Sequence, residues 1–472
     1  MAYGGGTWLS QNKVLPGSYI NFSSVSKASA TLSDRGIAAA PFELGWGESG
    51  VVTLVEQGDF QKNSFDIFGY GYTDDAMLPL REIFLHATKV YCYRLVANDA
   101  KKATCDFATA KYEGARGNDI TIRIDKIVEK TKTDGGAETE KATGYIVTTY
   151  VGAKVVDEQT VSTEWSDLKN NDWVDFKEGC KFGAKPGDAS EEDTTIYVDE
   201  TQGVKLTGGA NGTPDRESHQ NFLNAIESYA FNTLCCPADD SLLKQLYVVF
   251  TKRVRDKLGS KFQLVGYDLG AVDYEGIINL KNACTHSEIT SVDKSALVYW
   301  VTGAEAACNI NQSLTNSAYD GELTIIIENV SQTQAQLEAA IKKGEFVFHN
   351  SNGRIVVLTD INSLVTLGEN FGEAFQANQT IRVCDQIAND IAVLFNTRYL
   401  GIVQNDESGR ASLWNDIVYY LTEMQRLRAI ENLDTEQVTV ELGSTKRSVL
   451  VTVNNLNIIN AMEKLYMAVV IE

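Results

Sequence analysis

The sequence contains few histidines, and this scarcity limits the catalytic and metal sites that it can form. Only four occur in 472 residues, at His86, His219, His286 and His349, and they lie far apart in the chain. The eight cysteines form no Cys-x-x-Cys pair, and no cluster of His, Cys, Asp or Glu has the spacing of metal ligands. We therefore expect reduced, buried thiols, with no metal ion and no cofactor.

Proline and long apolar runs are also scarce. All six prolines precede residue 238, so the helices of the second half carry no proline break. No apolar run approaches the ~20 residues that a membrane-spanning helix needs, and the chain does not begin with a basic segment followed by an apolar one. We expect folding in the cytoplasm and no direct insertion into a membrane.

Positive charge is in short supply, because 42 Lys and Arg stand against 63 Asp and Glu, for a formal net charge of −21. Such a polyanion repels nucleic acid and anionic lipid, so we expect neither as a partner. The charge has two interpretations. It serves solubility alone, or it also keeps many copies of one chain from associating through the wrong faces.

The first half of the chain changes texture twice and indicates a multidomain protein of α/β and β type. Residues 1–25 are small and polar and are predicted to be an N-terminal arm, and residues 26–97 to be the N-terminal part of a core. Residues 98–207 alternate apolar and polar positions in short runs with glycine turns. This pattern is typical of a small β-sandwich module.

The second half predicts two more domains. Helix and strand patterns alternate over residues 208–368, which favours an α/β core domain. Within it, Ser331 and Gln334 have capping-box spacing and Asn352-Gly353 predicts a hairpin turn. Residues 369–462 are predicted to be an α+β C-terminal domain, and residues 463–472 a C-terminal arm.

Both ends of the chain carry strand-like segments without a hairpin partner nearby. The first is Tyr19, Ile20, Asn21 and Phe22; the second is Leu465, Tyr466, Met467, Ala468, Val469, Val470 and Ile471. An unpaired strand can add to a sheet edge in another copy, and two donors on one chain favour a head-to-tail contact that builds filaments. The alternative is that both ends pair within their own subunit.

An alternating pattern about a Gly-Ser turn predicts a hairpin close to the C-terminal segment. Its edge would accept an added strand. The alternating positions that we assign to this acceptor hairpin are Val438, Val440, Leu442, Val449, Val451 and Val453.

Enzyme interpretations find little support in the motifs. The loop Gly47–Gly50 lacks the spacing of a nucleophile elbow, and Gly208–Gly212 lacks the Lys-Ser/Thr of a phosphate loop, so both are predicted to be turns. His86 and His349 lie in apolar surroundings, and His219 is expected to be a solvated first-turn residue. An α/β hydrolase without a recognisable motif stays open as an alternative, because the members of a triad need not be adjacent in sequence.

Four stretches carry a resemblance to a known family. They read GGTWLSQNKVLPGSYINF at the start, KYEGARGNDITIRI at the β module, LTGGANGTP with NFLNAIESYAFNTL at the core, and NDIVYYLTEMQRLRAIENL near the end. Together they resemble the contractile tail sheath proteins of myophages, defective prophages and R-type, diffocin-like bacteriocins of Gram-positive bacteria. The resemblance spans the chain in the expected order, and it does not separate a phage tail from a bacteriocin.

The resemblance implies a subtilisin-like α/β core and terminal arms that complete a β-sheet in neighbouring subunits. It also implies that the β module of residues 98–207 lies on the outside and that the α+β domain of residues 369–462 faces the tube. It further implies stacked hexameric rings that contract around a tail tube, with baseplate and tail terminator or collar proteins as partners. Assembly would take place in the bacterial cytoplasm, with release by lysis. Asn454–Asn457 would act as a flexible leash for the C-terminal arm.

Four arginines are the candidates to face an acidic tube: Arg426 and Arg428, and more weakly Arg382 and Arg398. The alternative for the first two is pairing with Glu423 or Glu431 on their own helix. No catalytic triad maps onto the core, so the subtilisin-like fold implies no protease. A surface-layer or adhesion protein, the third interpretation, would need a secretion signal.

Overall fold

The computed structural model describes residues 33–132, 138–186, 194–328, 330–368 and 372–471. The chain divides into two compact units. The larger comprises Asp34–Gln386 together with the chain from Ile459 onward, and the smaller contains Ile387–Ile458. No helix in the described ranges is both long and apolar enough to cross a membrane. The architecture is a mixed α/β multidomain fold.

The larger unit begins with a β-α-β segment. Its elements are β1 (Ile37–Phe42), β2 (Val52–Glu56), α1 (Gln57–Phe68), α2 (Leu78–Phe84) and β3 (Lys89–Arg94). Gly69 ends α1 with a left-handed φ of 76°, which a glycine adopts without strain. Pro79 lies in the first turn of α2, where its missing N–H removes no helical hydrogen bond.

A β module follows the first segment. Its strands are β4 (Lys102–Thr104), β5 (Ala108–Glu113), β6 (Ile120–Lys132), β7 (Glu138–Val151), β8 (Lys154–Val161), β9 (Val174–Phe176), β10 (Lys181–Phe182), β11 (Tyr197–Val198) and β12 (Thr201–Lys205). They form an antiparallel sheet in the order β12-β6-β7-β8, a sheet β4-β5-β9 and the pair β10-β11. Ile120, Ile122 and Ile124 alternate along β6 and are fully buried, so one face of the four-stranded sheet carries the module's core.

The chain then alternates helices and strands. The elements are α3 (Arg216–Ile226), β13 (Thr233–Cys236), α4 (Ser241–Arg253), β14 (Gln263–Tyr267), β15 (Ile277–Leu280), β16 (Cys284–Thr285), α5 (Leu297–Ala307), β17 (Thr324–Ile325), α6 (Gln334–Lys342), β18 (Glu345–Phe346), β19 (Phe348–Ser351) and β20 (Arg354–Val357). Strands from both parts of the chain form one seven-stranded sheet in the order β18-β15-β14-β13-β1-β3-β2. Only β2, at one edge, runs antiparallel to its neighbour.

Helices cover both faces of this sheet. Ala38 and Ala40 of β1 point into a core with α2 and α5, whereas Ala39 between them points into a core with α3 and α4. Burial on both faces explains why the central strands are apolar throughout, as in the Thr-Leu-Cys-Cys of β13. The thiols of Cys235 and Cys236 therefore lie in the core, and burial raises the pKa of Cys236 to about 12.

The remaining elements carry the chain into the smaller unit and out of it. They are α7 (Asn378–Arg398), α8 (Glu407–Arg426), β21 (Ile430–Glu431), β22 (Val438–Leu442), β23 (Val449–Val453) and β24 (Asn457–Ile458). The division between the units falls within α7. Asp406 caps α8 by accepting the Gly409 N–H, and the buried stripe Leu413, Ile417, Leu421 and Met424 of α8 faces the interior.

Several local predictions are tested by this structure. The hairpin at Asn352-Gly353 is confirmed, with positive φ at both turn residues. The predicted capping box was misplaced by two residues. The Thr333 side chain caps α6 by accepting the Gln336 N–H, and the Gln336 side chain accepts the Thr333 N–H. His219 is not solvated: it is buried, and its Nδ1 lies 2.8 Å from the Tyr247 hydroxyl. Burial lowers the pKa of His219 to about 4.

Gly303 of α5 allows this helix to pack closely against α2. We therefore expect that adding one methyl group at this position destabilises the protein. A Cβ there would lie 2.2 Å from the carbonyl oxygen of Ile83 on α2. Gly303→Ala is therefore expected to lower the free energy of unfolding by about 1–3 kcal/mol through overpacking, measured by urea denaturation. Gly58→Ala on α1 is the control, because a Cβ there meets no atom within 4 Å. Equal stability of the two variants would contradict the prediction.

Candidate intersubunit interface

The predicted acceptor hairpin is present as β22 and β23. Five residue pairs join the strands, from Val438 with Val453 to Leu442 with Val449. Its turn is closed by the bond from the Gly443 N–H to the Ser448 carbonyl, and the Asn405 side chain donates to the same carbonyl. In the described part of the chain each of the two strands has one strand partner, so one edge of each stays open.

All six predicted acceptor residues share one face of this hairpin. The pairing places Val438, Val440, Leu442, Val449, Val451 and Val453 on that face. The face is buried at Val438 and becomes exposed toward Leu442, whose exposed fraction is 51%. Leu450, which is 55% exposed, lies on the opposite face.

A groove of about 690 Å³ runs between α8 and β22. Its walls are Glu407, Arg410, Ala411, Trp414 and Asn415 from the helix and Val440, Glu441 and Leu442 from the strand. The indole N–H of Trp414 donates to the Val438 carbonyl at 2.7 Å, which fixes the helix against one end of the strand. Trp414 could not be predicted from the sequence as part of this site, because a single tryptophan on an amphipathic helix has no distinguishing pattern.

The predicted C-terminal strand segment is described in the structure, where it has no regular secondary structure. Its large apolar side chains are between 69% and 89% exposed at Leu465, Tyr466, Met467, Val469, Val470 and Ile471. Full burial of one such aliphatic side chain gains ~1.5–3 kcal/mol. A contiguous exposed run of this kind is typical of interaction sites.

Two other predictions concern the arms. The N-terminal strand Tyr19, Ile20, Asn21 and Phe22 lies outside the described residues. The prediction that Asn454–Asn457 acts as a flexible leash is wrong, because this stretch is hydrogen-bonded. The Asn454 N–H donates to the Gln437 carbonyl, and Asn457 pairs with Glu431 in the β21-β24 ladder.

Three of the four candidate tube-facing arginines belong to the smaller unit. Arg426 is 68% exposed and pairs with Glu423 at 2.8 Å, which is the own-helix alternative. Arg428 is exposed and has a left-handed φ of 62° just after α8. Arg398 Nη1 lies 2.8 Å from the Asp416 carboxylate, so its charge is balanced on the neighbouring helix.

For the fourth candidate, Arg382, the prediction of a tube-facing side chain is wrong. Only 1% of its side chain is exposed, and it lies between two buried carboxylates, with Nη1 2.5 Å from Glu305 and Nη2 2.8 Å from Asp360. Burial, together with the Asp360 charge, raises the pKa of Glu305 well above its ordinary value. Arg382 therefore holds the interior of the larger unit together and has no surface to offer a tube.

The histidines bear on the hydrolase alternative. His86 lies 3.1 Å from Asp320, His219 contacts Tyr247, and His286 accepts backbone N–H groups from Glu288 and Ile289. Within the described ranges none of these hydrogen-bond partners of the three histidines is a serine or a cysteine. Nor do the described residues contain a group of three or more His, Cys, Asp or Glu that could hold a metal ion.

Family models match three successive parts of the chain. Residues 35–95 match the N-terminal region of domain III of the tail sheath protein Gp18. Residues 212–363 match the phage tail sheath protein central domain, and residues 371–472 match the phage tail sheath C-terminal domain. The matched parts together contain the seven-stranded sheet, the hairpin and the C-terminal arm.

Similar proteins agree with these models. The chain is 31% identical to the phage-like element PBSX protein XkdK of Bacillus subtilis, with 98% of each chain covered. A crystal structure of a sheath tail protein from Desulfitobacterium hafniense is 33% identical, covers 90% of this chain and 93% of its own, and has a TM-score of 0.74. The helical sheath of the anti-feeding prophage, solved in its contracted state, is 14% identical, covers 97% and 99%, and shares the fold at a TM-score of 0.55.

The sequence pattern, the fold and these similarities agree along nearly the whole chain. The protein belongs to the phage tail sheath family.

Proposed function

We propose that this chain polymerises as stacked hexameric rings through its terminal arms and forms the sheath around a tail tube. The observation that carries the proposal is the exposed apolar arm Leu465–Ile471 in a chain that also presents a hairpin with open edges. Exchange between copies satisfies donor and acceptor together.

The chemistry of the two surfaces fits this exchange. The arm alternates side chains along a potential strand, and an added strand would gain main-chain hydrogen bonds from an open edge of β22 or β23. The groove beside β22 offers apolar walls at Ala411, Trp414 and Leu442, with polar groups at its rim. Alternate arm residues would fill this groove while the backbone extends the sheet.

Contraction follows as the second part of the proposal. A sheath solved in its contracted state has the same fold, and we propose that this chain also passes from a metastable extended lattice to a shorter and wider one. The energy would be stored at assembly, so no nucleotide is needed to drive the tube through a target envelope. Short arms would keep neighbours linked while the bodies repack.

The remaining parts of the particle are proposals on the same basis. We place a subtilisin-like core in the middle, the β module outside and the α+β domain toward the tube, with Arg398, Arg426 and Arg428 as the cations facing it. Tube, baseplate and tail terminator or collar proteins would be the partners. The particle would assemble in the bacterial cytoplasm and leave by lysis.

The acceptor face is tested by a charge in the groove. Leu442→Asp is expected to raise the protein concentration required for tubes by at least about tenfold, because an added strand would bury an unpaired carboxylate. The measurement is sedimentation of the purified chain over a concentration series, with negative-stain electron microscopy of the pellet. Leu450→Asp is the matched control, since it changes a leucine of similar exposure on the other face of the same hairpin. Equal effects of the two variants would contradict the proposal that the groove beside β22 accepts the arm.

A further inference from the structure

The chain that follows β24 stays attached to the larger unit for several residues before the C-terminal arm begins. The buried side chain of Gln379, in the first turn of α7, holds the stretch just before the arm by its backbone. Its Nε2 donates to the Ile459 carbonyl at 3.1 Å, and its Oε1 accepts the Ala461 N–H at 2.9 Å. A side-chain amide that satisfies a donor and an acceptor of the same segment fixes its position and direction.

Two further contacts continue this attachment. The buried hydroxyl of Thr380 donates to the Asn460 side chain at 3.1 Å. The Glu463 carboxylate then accepts hydrogen bonds from Thr315 at 2.7 Å and from Thr359 at 3.2 Å. A carboxylate that accepts a hydrogen bond from a hydroxyl group on each of its two oxygens is well fixed in orientation.

The attachment reaches the rigid interior of the larger unit. The Thr315 hydroxyl also accepts the Asp360 N–H at 3.0 Å, and the Asp360 side chain pairs with buried Arg382. The Ile459–Glu463 stretch belongs to the same compact unit as these residues. Asn460 to Glu463 are exposed to solvent, as is Leu465 after them, so these hydrogen bonds, and not burial, hold the stretch in place.

We propose that Ile459–Glu463 is the fixed root of the C-terminal arm, with Gln379 and Glu463 as positioning residues that leave only residues 464–472 free to reach another copy. The root is a property of the single subunit, whereas its role in reach rests on the proposed function. Nine extended residues span at most about 30 Å, so the acceptor in the neighbouring copy lies within that distance of Glu463. Release of the root would add five residues, about 16 Å of slack.

A short arm with a fixed origin favours linkage for a physical reason. The fewer residues that must be ordered, the smaller the entropy lost when the arm docks. A shorter tether also raises the effective concentration of the arm at a nearby acceptor. The root thus directs the arm toward one neighbour and excludes more distant copies.

The root is tested by amide hydrogen exchange of the full-length chain below the concentration at which it polymerises. The Ala461 amide is expected to exchange at least about tenfold more slowly than the amides of 465–471, because the Ala461 N–H donates to the buried Gln379 side chain. Glu463→Ala is expected to reduce this protection about tenfold. Met462→Ala is the matched control, because the Met462 side chain is fully exposed. Fast exchange at Ala461 in the unmodified chain, or equal effects of both variants on this exchange, would overturn the proposal that Ile459–Glu463 is a fixed root.

Assembly gives a separate readout for the positioning role. Tubes of a chain that carries both Gln379→Ala and Glu463→Ala are expected to form at a concentration raised about two- to tenfold, since loss of both attachments leaves fourteen rather than nine residues to be ordered. An unchanged concentration, despite lost protection at Ala461, would show that the root does not position the arm. If a chain truncated after Glu463 still formed tubes, the arm proposal would fall, while the exchange result would still decide the root.

Discussion

A chain that lacks Leu465–Glu472 is expected to fold normally and to form no tubes. In the structure the arm side chains are exposed, so their removal leaves the free energy of unfolding within about 0.5 kcal/mol of the full chain. The same removal takes away six large apolar side chains whose burial would stabilise each link by ~1.5–3 kcal/mol apiece. A monomer of unchanged stability that fails to assemble at any accessible concentration is the predicted outcome.

The experiment separates folding from assembly. Urea denaturation and circular dichroism report the fold, and sedimentation with electron microscopy reports the tubes. Replacing Met467 and Val469 by Asp keeps the length of the arm but removes apolar burial, and is expected to abolish tubes as well. Full-length tubes from the truncated chain would show that the arm does not link subunits. Deletion of Met1–Phe22 is expected to have the same effect, on the basis of the family resemblance.

Local signals in the sequence were the ones that predicted structure correctly. The hairpins at Asn352-Gly353 and Val438–Val453 follow from alternation and turn residues within about twenty positions. The capping box was missed by two residues because Ser331 and Thr333 both offer a hydroxyl at the right spacing. His219 was misread because a first-turn histidine gives no sign of the tyrosine that covers it from α4.

Long-range relations could not be predicted in the same way. The order β18-β15-β14-β13-β1-β3-β2 joins strands separated by more than a hundred residues, and parallel pairing leaves no turn signal. Arg382 was misplaced for the same reason. Its two carboxylates lie on α5 and after β20, and no periodicity of α7 marks this arginine as an interior residue. The root of the arm was missed because its partners at Thr315, Thr359 and Gln379 come from three separate parts of the chain.

Arg382→Met is expected to lower the free energy of unfolding by about 3–5 kcal/mol at neutral pH. The substitution keeps much of the volume but removes the guanidinium that pairs with buried Asp360 and Glu305, and breaking a buried pair on one side has a cost of this size. Arg426→Met is the matched control, because the Arg426 side chain is exposed and its pair with Glu423 contributes about 0–1 kcal/mol. Urea denaturation of both variants measures the difference.

The deficit of Arg382→Met is expected to shrink in acid. Without the guanidinium, the buried carboxyl of Asp360 has a pKa raised above the value of the unfolded chain, so its proton is held more tightly in the folded state. Such a group favours the folded state below the unfolded pKa and loses this effect as the pH rises through the folded pKa. The difference in the free energy of unfolding between the variant and the unmodified chain should therefore be largest near pH 7 and become smaller toward pH 4. A deficit that does not change over this range would mean that lost packing, and not uncompensated charge, destabilises the variant.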